Sequence, residues 1–350
     1  MYDLFCKCIA VRNKNVIYIP FLEKSSERLR KRKMVRYLNL EDDGIKSMTN
    51  PGGNMNILGH FVAVEHKDPK AIVLAIRGTF TPSGLLVDVA EADSQPYCHG
   101  FAHAGMAKRA DELWKVVKGL VCKLLRENEC STFIITGHSL GAGVAALLSL
   151  KINYERLLAK EDPDLANIDV RCFAFAPPPV YFRKETDEKL QFSMAKIHSF
   201  LHENDCVPFA SVDAVRRLAA TMDEVSKDVN GFDTPMIAAG MKPIPEELLH
   251  KIVEARKVSK LNDSKTLFIP SPYVMWFQRA SYDKHDRPVY LTSFCRTKAQ
   301  GELLGTNNLN VYLNENMISD HMIPGYECAV NSVLAQIVRG SDGLFEEKDN

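Results

Sequence analysis

Residues 132–143 read TFIITGHSLGAG, and the rest of the chain is best understood outward from them. Thr132 to Thr136 form a β-type run, and from Leu140 the small and apolar residues of LGAGVAALLSL have the character of a buried helix. Between the two stands Ser139, with Gly137 two residues before it and Gly141 two residues after. A strand that turns straight into a helix brings backbones within contact, so the flanking positions must be small and the apical residue sits in a strained conformation. A serine at that apex is a candidate nucleophile. The plain alternative is a glycine-rich βα turn whose serine does nothing.

Upstream, HFVAVEH (60–66) and AIVLAIR (71–77) read as neighbouring strands separated by the turn residues 67–70. A helix follows over 103–128, with Met106, Leu113, Val116, Val117, Leu120, Val121, Leu124 and Leu125 at helical spacing. Downstream of the serine the pattern predicts a helix over about 140–159 and strands at 169–176 and 195–202, the first of them ended by prolines 177–179. Strands alternating with helices specify an α/β fold with a mostly parallel central sheet flanked by helices. The pattern weakens between 206 and 288, where residues 211–270 read as an insertion with a helix near 246–257. Strands return at 287–296 and 308–316, and an amphipathic helix spans about 322–339. We therefore expect one main domain over 56–340, an N-terminal extension over 1–55 packed on it, and a short tail over 341–350.

Composition narrows the functional classes. Lys+Arg and Asp+Glu number 44 each, so the zero net charge gives no general attraction to nucleic acid. Nine cysteines, an odd number with no C-x-x-C pair, point to a reducing compartment, and the first residues lack the layout of a signal peptide. A cytoplasmic protein is expected. The apolar stretch 133–150 contains His138, Ser139 and three glycines, which suits a buried strand and helix better than a membrane span. The basic run RLRKRKMVR (28–36) reads as the solvated face of a helix, with anionic lipid head groups as its alternative contact. No His/Cys ligand spacing, calcium loop or phosphate loop is present, so neither a metal nor a cofactor is expected.

A serine nucleophile needs a base, and the base needs an orienting acid. On an α/β sheet these follow the serine in the order acid, then histidine, at the carboxyl ends of strands. Asp205 directly follows the strand 195–202, and one more step beyond the strand end favours it over Glu203. Of the later histidines, His285 lies in a charged, exposed turn, whereas His321 stands after strand 308–316 and before the last helix, which makes it the candidate base. The Leu140 N–H, at the start of a helix beside the serine, is one candidate donor to a tetrahedral oxyanion. The second is Thr79, through its N–H and its hydroxyl, in the loop after strand 71–77.

Five blocks in this order, AIRGT (75–79), HAGM (103–106), TGHSLGAG (136–143), NDCVP (204–208) and SDHMIPGY (319–326), resemble the class 3 lipases of the α/β-hydrolase fold, and within them the sn-1-specific diacylglycerol lipase branch. The resemblance covers about residues 58–340. It implies a triad of Ser139, Asp205 and His321, an oxyanion hole of Thr79 and Leu140, and Asp88 holding the Thr79 hydroxyl. His138, Gly137 and Gly141 are counted as supporting residues. It further implies hydrolysis of acylglycerol esters, with peripheral contact to a membrane or lipid-droplet surface. The multi-pass membrane region of the animal enzymes is absent from this sequence, and FTPSGLL (80–86) does not match the lid helix of the secreted fungal enzymes. Segments 80–86 and 235–241 are the lid candidates. A carboxylesterase of short esters, a phospholipase A1-like enzyme and a non-catalytic protein on the same fold are the alternatives.

Overall fold

A computed structural model describes residues 31, 35, 40, 44–49, 58–78, 93–183, 187–211, 223, 267–296 and 316–341. An eight-stranded sheet forms the centre. In chain order its strands are β1 (Ile45–Thr49), β2 (His60–Glu65), β3 (Ala71–Ile76), β6 (Thr132–His138), β7 (Asp169–Phe175), β9 (Ile197–His202), β10 (Tyr273–Tyr282) and β11 (Pro288–Arg296), and they lie side by side in that same order. The block β3-β6-β7-β9-β10 is parallel, and β1, β2 and β11 join its two sides antiparallel. Parallel strands covered on both faces need apolar residues throughout, and every residue of β3 and β6 is buried.

Helices cover the two faces. On one side α1 (Ala104–Glu127), α2 (Leu140–Glu155) and α4 (Glu188–Ala195) pack over Ile72, Leu74, Phe133, Ile135, Cys172 and Ala174. α2 touches the sheet on one side and α1 and α4 on the other, so its apolar residues run nearly all the way round. A short α3 (Leu157–Glu161) follows it. Strand alternation sends Val73, Ile134, Phe173 and Phe175 to the opposite face. There α5 (Met317–His321) and α6 (Ile323–Ser341) return the chain, and Ile323, Tyr326, Ala329 and Val330 bury against Phe200 and Phe277. Phe175, Phe200 and Phe277 stack in a row across β7, β9 and β10, with ring centroids 4.7 and 6.0 Å apart.

Several elements depart from the sequence reading. β10 falls at the end of the region read as weakly patterned, and β1 falls within the segment read as an extension. A three-stranded antiparallel sheet, β4 (Ser94–Tyr97), β5 (Gly100–His103) and β8 (Tyr181–Arg183), was not foreseen. Its two-residue hairpin puts Cys98 and His99 at φ 42° and 60°, the backbone a tight turn demands. The base candidate His321 is the last residue of the short helix α5. The helix near 246–257, strand 308–316 apart from residue 316, the basic run up to residue 36 apart from residues 31 and 35, and both lid candidates lie outside the described residues.

Candidate active site

β6 hands over to α2 within one residue. Ser139 takes φ 59° and ψ −130°, a region that costs a non-glycine residue about 1–3 kcal/mol and persists only where the surroundings impose it. The surroundings are visible. The Ser139 N–H donates to the Phe175 carbonyl at 3.0 Å, and the Ser139 carbonyl accepts from Ala142 and Gly143 at 2.9 and 3.2 Å, starting α2. A Cβ on Gly137 would stand 2.3 Å from the Gly141 carbonyl oxygen, and one on Gly141 would stand 2.5 Å from that of Ile76. Both positions exclude any side chain, for the reason the motif suggested.

Three side chains from distant parts of the chain meet at the elbow. The Ser139 hydroxyl lies 3.0 Å from His321 Nε2, and His321 Nδ1 lies 2.9 and 3.0 Å from the two Asp205 oxygens. All three are buried. With an N–H at Nδ1 donating to the carboxylate, Nε2 is left as the acceptor for the serine proton. Asp205 is further held by the Val207 N–H at 2.9 Å and by the Tyr326 hydroxyl at 2.7 Å. Burial alone would raise the Asp205 pKa, but the charge of His321 and the hydrogen bonds from His321, Tyr326 and Val207 outweigh it and keep the carboxyl below its usual range.

The other candidates find different places. Glu203 points away from His321: its carboxylate reaches Arg279 at 3.9 Å and accepts from the Arg279 N–H, while Trp276 donates to its carbonyl at 2.9 Å, tying the turn to β10. His285 sits exposed in the turn between β10 and β11, as its charged neighbours suggested. Leu140 is the first residue of α2, so its N–H has no carbonyl one turn back and stands beside Ser139. Thr79 and Asp88 lie outside the described residues. Gly78 just before them is described, and a Cβ there would fall 2.5 Å from the His138 carbonyl oxygen and 3.1 Å from Ser139 Cβ. The loop after β3 thus begins in contact with the elbow.

Two residues near the site escaped the sequence reading. Tyr326 lies inside the quoted block SDHMIPGY, yet nothing in the sequence says that its hydroxyl faces Asp205. Asp320, next to His321, accepts from the N–H of Asn204, next to Asp205, at 3.2 Å, so a second bond straps the two loops together beside the Asp205 and His321 contact.

The chain is similar in sequence to known proteins. Residues 73–214 match the family model of class 3 lipases. Diacylglycerol lipase-alpha of Homo sapiens is 28% identical over 315 residues, which is 81% of this chain but only 28% of the human protein. The secreted mono- and diacylglycerol lipase A of Penicillium cyclopium is 29% identical over 154 residues, 42% of this chain and 45% of the fungal one. Among solved structures, a mutant form of MDLA from the same fungus aligns with a TM-score of 0.47 at 14% identity, over 91% of this chain and 93% of that one. Residues 73–214, which carry the elbow and Asp205, thus match the class 3 lipases, and diacylglycerol lipases are among the proteins to which the chain is similar.

Proposed function

We propose that the protein hydrolyses carboxylic ester bonds of acylglycerols through an acyl-serine intermediate. The observation that carries this reading is the unbroken hydrogen-bonded line from Asp205 through His321 to Ser139 at a strained strand-to-helix turn. His321 takes the Ser139 proton as the oxygen attacks the acyl carbonyl, then gives it to the leaving alcohol; water repeats the cycle and frees the fatty acid. Asp205 keeps the imidazole in the tautomer that can do this. The Leu140 N–H and Thr79 are the oxyanion donors, with Asp88 supporting the Thr79 hydroxyl, and loss of one such donor lowers turnover by about 10²–10³. Diacylglycerol is the substrate favoured by the names of the relatives.

In this reading residues 56–340 form the catalytic domain, with residues 1–55 as an extension and 341–350 as a tail. The enzyme works in the cytoplasm, in peripheral contact with a membrane or lipid-droplet surface. Among the described residues no helix is long and apolar enough to cross a membrane, and Cys98, Cys122, Cys130, Cys172, Cys206 and Cys328 are free. The test is fatty-acid release from diacylglycerol in mixed micelles by the wild type and by Ser139→Ala. Release confined to the wild type is the expected result. Equal release by both proteins, or none by the wild type on any acylglycerol, overturns the proposal.

A further inference from the structure

The segment that carries His321 contains a break in its backbone hydrogen bonding, and two histidines fill it. α5 ends at His321, Met322 is extended at φ −75° and ψ 141°, and α6 begins at Ile323. In an unbroken helix the Asp320 carbonyl would accept from the N–H of residue 324 and the His321 carbonyl from that of residue 325. Residue 324 is proline and has no N–H, while the Gly325 N–H goes to the Met322 carbonyl at 3.0 Å. Two carbonyls therefore lose their helical partners inside a buried site, where an unpaired acceptor is costly.

Both are met by imidazoles from strand ends. His202, the last residue of β9, places Nδ1 at 2.9 Å from the Asp320 oxygen, and His138, the last residue of β6, places Nε2 at 2.8 Å from the His321 oxygen. A carbonyl only accepts, so each ring must carry its hydrogen at that nitrogen. For neutral His202 this leaves Nε2 to accept from the Tyr290 hydroxyl at 3.0 Å. The fit leaves no spare room: a Cβ on Gly325 would come within 2.7 Å of the His202 ring. The His138 ring lies 4.6 Å from that of His321, and burial together with the neighbouring charge of His321 pushes its pKa down to about 3. It stays neutral while its neighbour becomes an imidazolium.

We propose that His138 and His202 are positioning residues: by clamping two consecutive carbonyls, those of Asp320 and His321, they fix the backbone of the base and hold its Nε2 within reach of Ser139. The role rests on Ser139 and His321 being nucleophile and base.

The experiment follows covalent labelling of Ser139 by an alkyl fluorophosphonate, in which the P–O bond forms, the P–F bond breaks and fluoride leaves. It separates the maximal labelling rate from probe affinity. Labelling of the wild type and none of Ser139→Ala establishes the nucleophile. An unlabelled wild type sinks the reading of Ser139 itself and this role with it. Given labelling, His138→Phe and His202→Leu, which remove the donors, lower the maximal rate by about 10²-fold, as a small misplacement of a catalytic group does, with affinity little changed. His138→Gln and His202→Asn, which keep an N–H near the same place, recover to within about tenfold of wild type. Folded donorless variants that label within threefold of wild type overturn the clamp, and so do amide variants no faster than the donorless ones.

Discussion

At the scale of single residues, the site is governed by which donors face a buried carboxylate. Asp205 accepts from His321, Val207 and Tyr326, and only the Tyr326 contact can be deleted without moving the backbone or the base. Tyr326→Phe should lower unfolding free energy by about 1.5–3 kcal/mol, the range for a hydrogen bond to a charged group, as measured by urea denaturation. Turnover should fall at the same time, since the remaining donors hold the carboxylate less firmly; unchanged stability and rate would show the hydroxyl to be a bystander. That Ser139, Asp205 and His321 come together was readable from the sequence because the sheet and the chain order restrict where such groups can lie. Tyr326 was not, because its role depends on the direction in which α6 sets off from His321.

At the scale of elements, the elbow and the aromatic row carry separate loads. Gly137→Ala would force a Cβ to 2.3 Å from backbone that α2 cannot withdraw, so activity should be lost and the denaturation midpoint should drop sharply. A Gly137→Ala protein with wild-type fatty-acid release would show the elbow to be less crowded than its distances state. On the other face, Phe200 lies between Phe175 and Phe277, under α6. Phe200→Ala should destabilise by about 3–5 kcal/mol, as aromatic deletions in closed cores do, and loosen the helix that delivers Tyr326. The strands β3, β6, β7, β9 and β11 and the long helices were legible because their apolar periodicities are strong. β10 was hidden by the weakly patterned stretch preceding it, and the small β4-β5-β8 sheet by strands of three or four residues, too short to show a period.

For the whole molecule, two buried groups tie stability to pH in the same direction. Asp205 has its folded pKa depressed, so its contribution is present above the usual carboxylate range and is lost as pH falls through it. His138 is also depressed, from 6.5 to about 3, so its contribution is complete above about pH 6.5 and declines as pH falls toward 3. Stability should therefore be flat near neutrality and fall on acidification, by up to about 1.4 kcal/mol per pH unit from His138 alone. Denaturant midpoints measured from pH 7.5 down to 4 check this. His138→Gln should flatten the slope below pH 6.5, and an equally steep slope in that variant would assign the loss to other groups.

The sequence by itself determined that an α/β sheet would carry a serine at a glycine-flanked turn, because backbone crowding and apolar periodicity are local properties written residue by residue. It also restricted the partners of that serine to strand-end positions in a fixed order. Only the tertiary structure decided that Glu203 is spent on Arg279, that Tyr326 closes over Asp205, and that His138 and His202 meet the two carbonyls that lose their helical partners at the break after His321. Those contacts join residues 76 to 183 positions apart, or depend on where one side chain points after a break in a helix, and no local pattern encodes either.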